Sequence, residues 1–164
     1  MSNIDNVINH IRNRSYMSGI ERDRARIKST GEVFTPTSLV HEILDTLDQS
    51  LFSDPTKTII DPSGCGDGQL IGEALIRKLE NGIDFETALS TIYGVDLMAD
   101  NVELCRERLL CGREDLRYIV EKNIVCADAL RYHFRFDGSP PDDEIVKEQA
   151  FNDRFDTLFS ENSL

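Results

Sequence analysis

The stretch Ile59-Ile60-Asp61-Pro62-Ser63-Gly64-Cys65-Gly66-Asp67-Gly68-Gln69-Leu70 decides how this chain is read. Thr58-Ile59-Ile60 is a short β-branched run, the composition of a buried strand. It runs straight into an acid, a proline and three glycines. Glycines at 64, 66 and 68 permit a tight turn and a close backbone approach to a ligand. Helical spacing then holds from about Gln69 to Leu79 and stops at Asn81-Gly82, so the helix would present its free N–H groups near the turn. An open α/β sheet binds ligands at the carboxyl ends of its strands, which is where Asp61 stands. An acid there suits a positively charged group, such as an amino-acid ammonium, better than a phosphate. The spacing matches neither a Walker loop nor GxGxxG. The plain alternative is an ordinary glycine-rich turn.

The same alternation continues outward. A short helix over 85–89 leads to a second strand, 91–96, and a helix over 101–110 follows with Val102, Cys105 and Leu109 inward. Residues 116–120 read as helix and 123–126 as a third strand ending at Ala127-Asp128. A polar stretch containing Gly138-Ser139-Pro140-Pro141 precedes a fourth strand over 155–159. On the other side, Thr35 reads as a helix N-cap with Pro36 at the first helical position. Leu39, Val40, Ile43, Leu44 and Leu47 then form one apolar stripe. Ile4, Val7, Ile8 and Ile11 recur at helical spacing before a break between Asn13 and Gly19. The expected organisation is a polar helical arm over 1–28 and an α/β domain over 29–164. That domain should have a parallel sheet of about four strands with right-handed crossovers, fewer than the six of a doubly wound sheet. It reads as cut short.

Two further acids close strands. Asp96 ends the second strand in Tyr93-Gly94-Val95-Asp96, where a carboxylate can accept from two ribose hydroxyls or cap the next helix. Asp128 ends the third, where it could accept from an adenine amino group. Acids ending three successive strands outline an adenosine pocket.

Composition excludes several classes. The chain has 164 residues, 40% hydrophobic and 29% charged, enough for one folded core. No apolar run approaches the roughly 18 residues of a membrane span, and the N-terminus is not patterned as a secretory signal. Cys65, Cys105, Cys111 and Cys126 lack zinc spacing and read as free thiols of a cytoplasmic protein. His10, His41 and His133 fall in no catalytic or metal-binding pattern, and Cys65 reads as packing volume rather than a nucleophile. Net charge is −12, yet residues 1–28 hold six basic groups against Asp5, Glu21 and Asp23, leaving 12 basic and 27 acidic groups elsewhere. Such a body repels a phosphate backbone, so the chain alone should bind DNA poorly. The basic arm is either a contact or a solvated helix face. Phe134 and Phe136 alternate with Arg131 and Arg135, which reads as strand packing rather than base stacking.

Four segments in order, TGEVFTPTSLV (30–40), IIDPSGCGDGQLI (59–71), IYGVDLMADNVELCRERL (92–109) and ADAL (127–130), resemble the N6-adenine DNA methyltransferases of type I and type IIG restriction–modification systems. The resemblance covers roughly residues 28–130. It implies a Rossmann-like fold that binds S-adenosylmethionine. Phe34, Thr35 and Pro36 would touch the methionine end, and Asp61, Pro62, Gly64, Cys65, Gly66 and Gly68 would wrap it. Asp96 with Leu97 would hold the ribose, and Asp128 with Ala129 the adenine. Direct methyl transfer to adenine N6 needs no metal.

The sequence departs from the family pattern in two places. Ser63-Gly64 precede Cys65 where D-P-x-C-G-x-G has one residue, and such an insertion moves backbone N–H groups by up to about 3.5 Å. The N-P-P-[YF] motif, which holds the adenine amino group and stacks on the flipped base, is not found. No catalytic residue can therefore be named. The expected function is that of a DNA adenine-N6 methyltransferase-like protein, restriction–modification or phage related. The alternatives are a non-catalytic cofactor-binding or partner-binding remnant, or one half of a split enzyme. DNA would be reached only through another domain or partner chain; a homodimer is another arrangement, and no membrane is involved.

Overall fold

The computed structural model describes residues 3–13 and 35–139. Its elements are α1 (Asn3–Arg12), α2 (Thr37–Thr46), α3 (Ser50–Ser53), β1 (Ile59–Asp61), α4 (Gln69–Glu80), α5 (Phe85–Ser90), β2 (Ile92–Asp96), α6 (Ala99–Leu110), a 3-10 turn (Glu114–Leu116), α7 (Arg117–Asn123) and β3 (Ile124–Cys126). The described strands form one parallel sheet in the order β1-β2-β3. Mixed α/β architecture with short parallel strands is what the alternating pattern demands. The expected strand over 155–159, the arm beyond Asn13 and Phe34 lie outside the described residues.

Register assigns each strand residue to a face. Ile59 lies opposite Ile92, and Gly94 opposite Ile124. All four are on the face that meets the helices, where Ile71, Leu75, Leu79, Leu89, Cys105 and Leu109 complete the main core. Alternation sends Ile60, Tyr93, Val95 and Val125 to the other face. There Val95, Val125 and Ala127 make a small second core with Tyr132 and Phe136. Ile60 is 42% exposed, so this second face is only partly covered by the described residues.

Phe134 and Phe136 are not in a strand. After β3 the amides of Arg131 and Tyr132 both donate to the Asp128 carbonyl at 2.9 Å, turning the chain back over the sheet. Phe134 and Phe136 take left-handed φ values of 51° and 46°, sparsely populated for a non-glycine residue. The turn stacks the rings: Phe136 lies 4.8 Å from Tyr93 and 5.5 Å from Tyr132, centroid to centroid. Ring–ring contacts, not ladder pairing, hold them.

Helix α2 starts one residue later than the Thr35-Pro36 pair suggests. Pro36 has ψ 144°, an extended value, and its carbonyl accepts the first helical bond from Val40 at 3.0 Å. Pro36 is thus the N-cap, with no side-chain cap. Of the expected stripe, Val40 and Leu44 are fully buried while Leu39 and Ile43 are exposed.

The first helix of the arm belongs to the body. Ile11 is fully buried in the main core, with Val7 and Ile8 packed against it. A Cβ on Gly72 in α4 would come within 3.0 Å of the Ile11 side chain, so the bare glycine lets α1 lie flush on α4. Arg12 forks onto Glu73 at 2.9 and 3.0 Å, and His41 Nε2 lies 3.0 Å from the same carboxylate.

Candidate functional site

The loop between β1 and α4 folds onto the end of β2. The amides of Gly64 and Cys65 both donate to the Val95 carbonyl, at 2.8 and 3.1 Å. The two-residue step Ser63-Gly64 is absorbed here, by Gly64 at φ 108° with open space around it. The Gly66 amide then donates to Asp96 Oδ2 at 2.9 Å, and the Gly68 amide to the Cys65 carbonyl at 2.9 Å. Gly68, at φ 85°, is the left-handed N-cap of α4. A Cβ there would sit 2.8 Å from Cys105 Sγ, so only glycine satisfies both the dihedral and the space.

Asp96 is a structural member of this loop. It is 5% exposed, and its other oxygen accepts from the Met98 amide at 2.8 Å and from Asn101 Nδ2 at 3.3 Å. Three protein donors occupy most of the roughly four acceptor positions of a carboxylate. Of the two readings of Asp96, the helix cap is not realised: the N-cap of α6 is Met98, without a side-chain cap, and Asp96 instead accepts in the turn that leads into the helix.

Asp61 is half-buried at the end of β1, beside Pro62 and Ser63, which are exposed. Burial pushes its carboxyl pKa up; the Ser63 backbone opposes this and the Asp96 charge adds to it. A cationic ligand would relieve that strain. Asp128, the third acid, caps the turn after β3 by accepting from the Leu130 amide at 2.9 Å. The Ala127 amide donates to the Asp96 carbonyl at 2.9 Å, bringing the exits of β2 and β3 together. Beyond them Leu97 is 45% and Leu130 89% exposed, apolar groups at the same edge as the three acids, with half-buried Ala129 between.

The Thr35-Pro36 segment reaches the loop through its neighbour. Gln69, the first residue of α4, donates Nε2 to Thr37 Oγ1 at 2.7 Å. Cys65 is buried, and its thiol is pushed up in pKa by pairing with Cys105 and by burial, so it stays protonated and fills space. Among the described residues no group of His, Cys, Asp and Glu could hold a metal ion, and no helix is long and apolar enough to cross a membrane.

One residue escaped the reading of the sequence. Arg108 in α6 is 2% exposed and donates Nη1 to Asp67 Oδ1 at 3.0 Å, behind the loop. A signal existed: Asn101, Cys105 and Arg108 recur at helical spacing, so one stripe mixes polar and apolar groups. A polar residue on an inward stripe marks a buried network.

The sequence profile of the N-6 DNA methylase family matches residues 21–163. Neither a curated protein nor a solved structure gives a match to the chain. With the Asp-Pro glycine loop folded onto Asp96, and a family match across most of its length, the chain belongs to the N-6 DNA methylase family.

Proposed function

We propose that this chain provides the S-adenosylmethionine-binding part of a DNA adenine-N6 methyltransferase of the restriction–modification kind, with a Rossmann-like domain. The observation that carries the reading is the folded glycine loop, held to β2 through Asp96 at the carboxyl edge of a parallel sheet. S-adenosylmethionine, when bound, supplies a methyl group activated by its sulfonium. The residues of this chain would hold and orient it. Asp61, half-buried at the end of β1, would face the ammonium, and Thr35-Pro36, with Phe34 preceding them in sequence, would lie against the rest of the methionine end. The exposed Leu97 and the Asp128–Ala129 turn take the adenosine. The ribose would share the Asp96 carboxylate with its three protein donors, or displace Asn101, the longest of them.

Methyl transfer and DNA binding rest on residues that this sequence does not supply. N-P-P-[YF] is not found in it, and the net charge of −12 opposes a phosphate backbone. We therefore assign the catalytic motif and DNA recognition to another segment or a partner chain. An amide-resolved titration tests the reading. S-adenosylmethionine should move the Gly64, Gly66, Gly68, Leu97 and Ala129 signals together and saturably. Saturation confined to other residues, or no movement, would overturn it. Incubated alone with unmethylated DNA, the chain should transfer no methyl group.

A further inference from the structure

We propose that Arg108 is the positioning residue of the cofactor loop, and that through it the docking of α1 becomes a condition for ligand binding. The inference rests on the cofactor reading above. Among the described residues one guanidinium reaches three parts of the chain. Nε donates to the Ile11 carbonyl at 3.0 Å, in the last turn of α1, where helix carbonyls lack internal partners. Nη1 donates to the Asp67 carboxylate at 3.0 Å and, more weakly, to its carbonyl at 3.4 Å, inside the glycine loop. Nη2 donates to Gln69 Oε1 at 2.5 Å, where α4 begins. Gln69 passes the connection on to Thr37, next to Pro36.

Arg108 is 2% exposed and stands behind the loop, so it acts on a ligand only through the backbone it holds. A planar fork with five donors can bridge three acceptors in fixed directions; a lysine, a single point charge, cannot. The arm side of the bridge is equally constrained. Ile11 is fully buried, and α1 touches α4 at Gly72, where an added methyl would come within 3.0 Å of the Ile11 side chain. If α1 shifts, the Ile11 carbonyl leaves Arg108, and the guanidinium must find a new balance among Asp67, Gln69 and whatever replaces it. Helix α1 therefore bears on the shape of the loop through Arg108.

Two variants test this, with S-adenosylhomocysteine as the probe and amide exchange of the ligand-free protein as a second readout. Arg108→Lys keeps the charge and loses the fork. Arg12→Ala removes the α1–Glu73 pair and leaves the loop and Arg108 untouched. Losing one charge-assisted bond corresponds to roughly tenfold, so Arg108→Lys should weaken binding about tenfold or more and speed exchange at Gly66 and Gly68 similarly, while β2 amides stay protected. Arg12→Ala should weaken binding about threefold to tenfold, with the same loop signature. If Arg108→Lys does not fold, Arg12→Ala decides alone. Loop exchange and affinity within twofold of wild type in folded Arg108→Lys would overturn the positioning role. Arg12→Ala that lowers Tm with loop exchange unchanged would overturn the coupling to α1. A wild-type chain that binds no ligand would instead refute the cofactor reading, and exchange alone would then judge Arg108.

Discussion

Gly68→Ala is the substitution whose cost follows most directly from the geometry. Two separable penalties apply. At φ 85° an alanine is held in the left-handed region, at about 1 to 2 kcal/mol. Its Cβ would also stand 2.8 Å from Cys105 Sγ, an overpacking that costs about 1 to 3 kcal/mol. The sum, about 2 to 5 kcal/mol, is a large share of the roughly 5 to 15 kcal/mol that holds a domain together. Cys105→Ala removes the clashing sulfur and leaves its Cβ, which would lie at an ordinary 3.5 Å from the new methyl. By itself Cys105→Ala should cost about 1 kcal/mol for the lost buried volume. The double variant should be less destabilised than the two singles added, by about 1 to 3 kcal/mol, because the clash vanishes and the dihedral strain stays. Urea unfolding of the four proteins measures this, with midpoints moving at constant slope. Additivity within about 0.5 kcal/mol would show that Cys105 does not fill the space beside Gly68, and the account of the loop would fail.

Half-buried Asp61 and buried Glu73 should respond to pH in opposite senses. Asp61 is raised by burial, so its folded form binds protons more tightly than the unfolded chain; Asp61→Asn should therefore gain stability over wild type as pH rises from about 4 towards neutrality, measured as Tm across that range. Burial also raises Glu73, but the bonds from Arg12 and His41 outweigh it and the net shift is downward. Its contribution is fully present above about pH 4.3 and is lost as pH falls through the folded pKa, so the deficit of Glu73→Gln should shrink on acidification in the same assay. Thiol titration should find Cys111 and Cys126, both half-buried, reacting before Cys65 and Cys105, which should wait for unfolding. Equal rates for all four would contradict the packing role given to Cys65.

Much of the fold is visible in the sequence because strand and helix periods alternate cleanly between residues 59 and 126. Ile59-Ile60 and Ile92-Tyr93 sit in parallel register, and the expected inward residues of α6, Val102, Cys105 and Leu109, are buried. Local signals failed where tertiary contacts decide. Phe134 and Phe136 alternate as a strand would, yet they turn, Phe136 packing on Tyr93 and Phe134 on Tyr132. Pro36 preorganises a helix start, but its extended ψ makes it the cap rather than the first helical residue. At the site, the acids and glycines were legible from their place at strand ends. That Asp96 is engaged by Gly66, Met98 and Asn101 was not, because those bonds join residues up to 30 apart in sequence. Arg108 was missed for the same reason: charge suggests solvent until the acceptors from Ile11, Asp67 and Gln69 are brought around it.

Asp96→Ala cannot settle the role of the site, since it would release the glycine loop whether or not a ribose binds. The ligand must be varied instead. Calorimetric titration of the wild-type chain with S-adenosylhomocysteine and with 5′-methylthioadenosine, which lacks the amino-acid end, tests the central claim most directly. The account predicts saturable one-to-one binding of the first and binding of the second weaker by about tenfold or more, the loss of a charge-assisted contact to Asp61 and the loop. No heat from S-adenosylhomocysteine up to millimolar concentration, or equal affinity for both ligands, would contradict it.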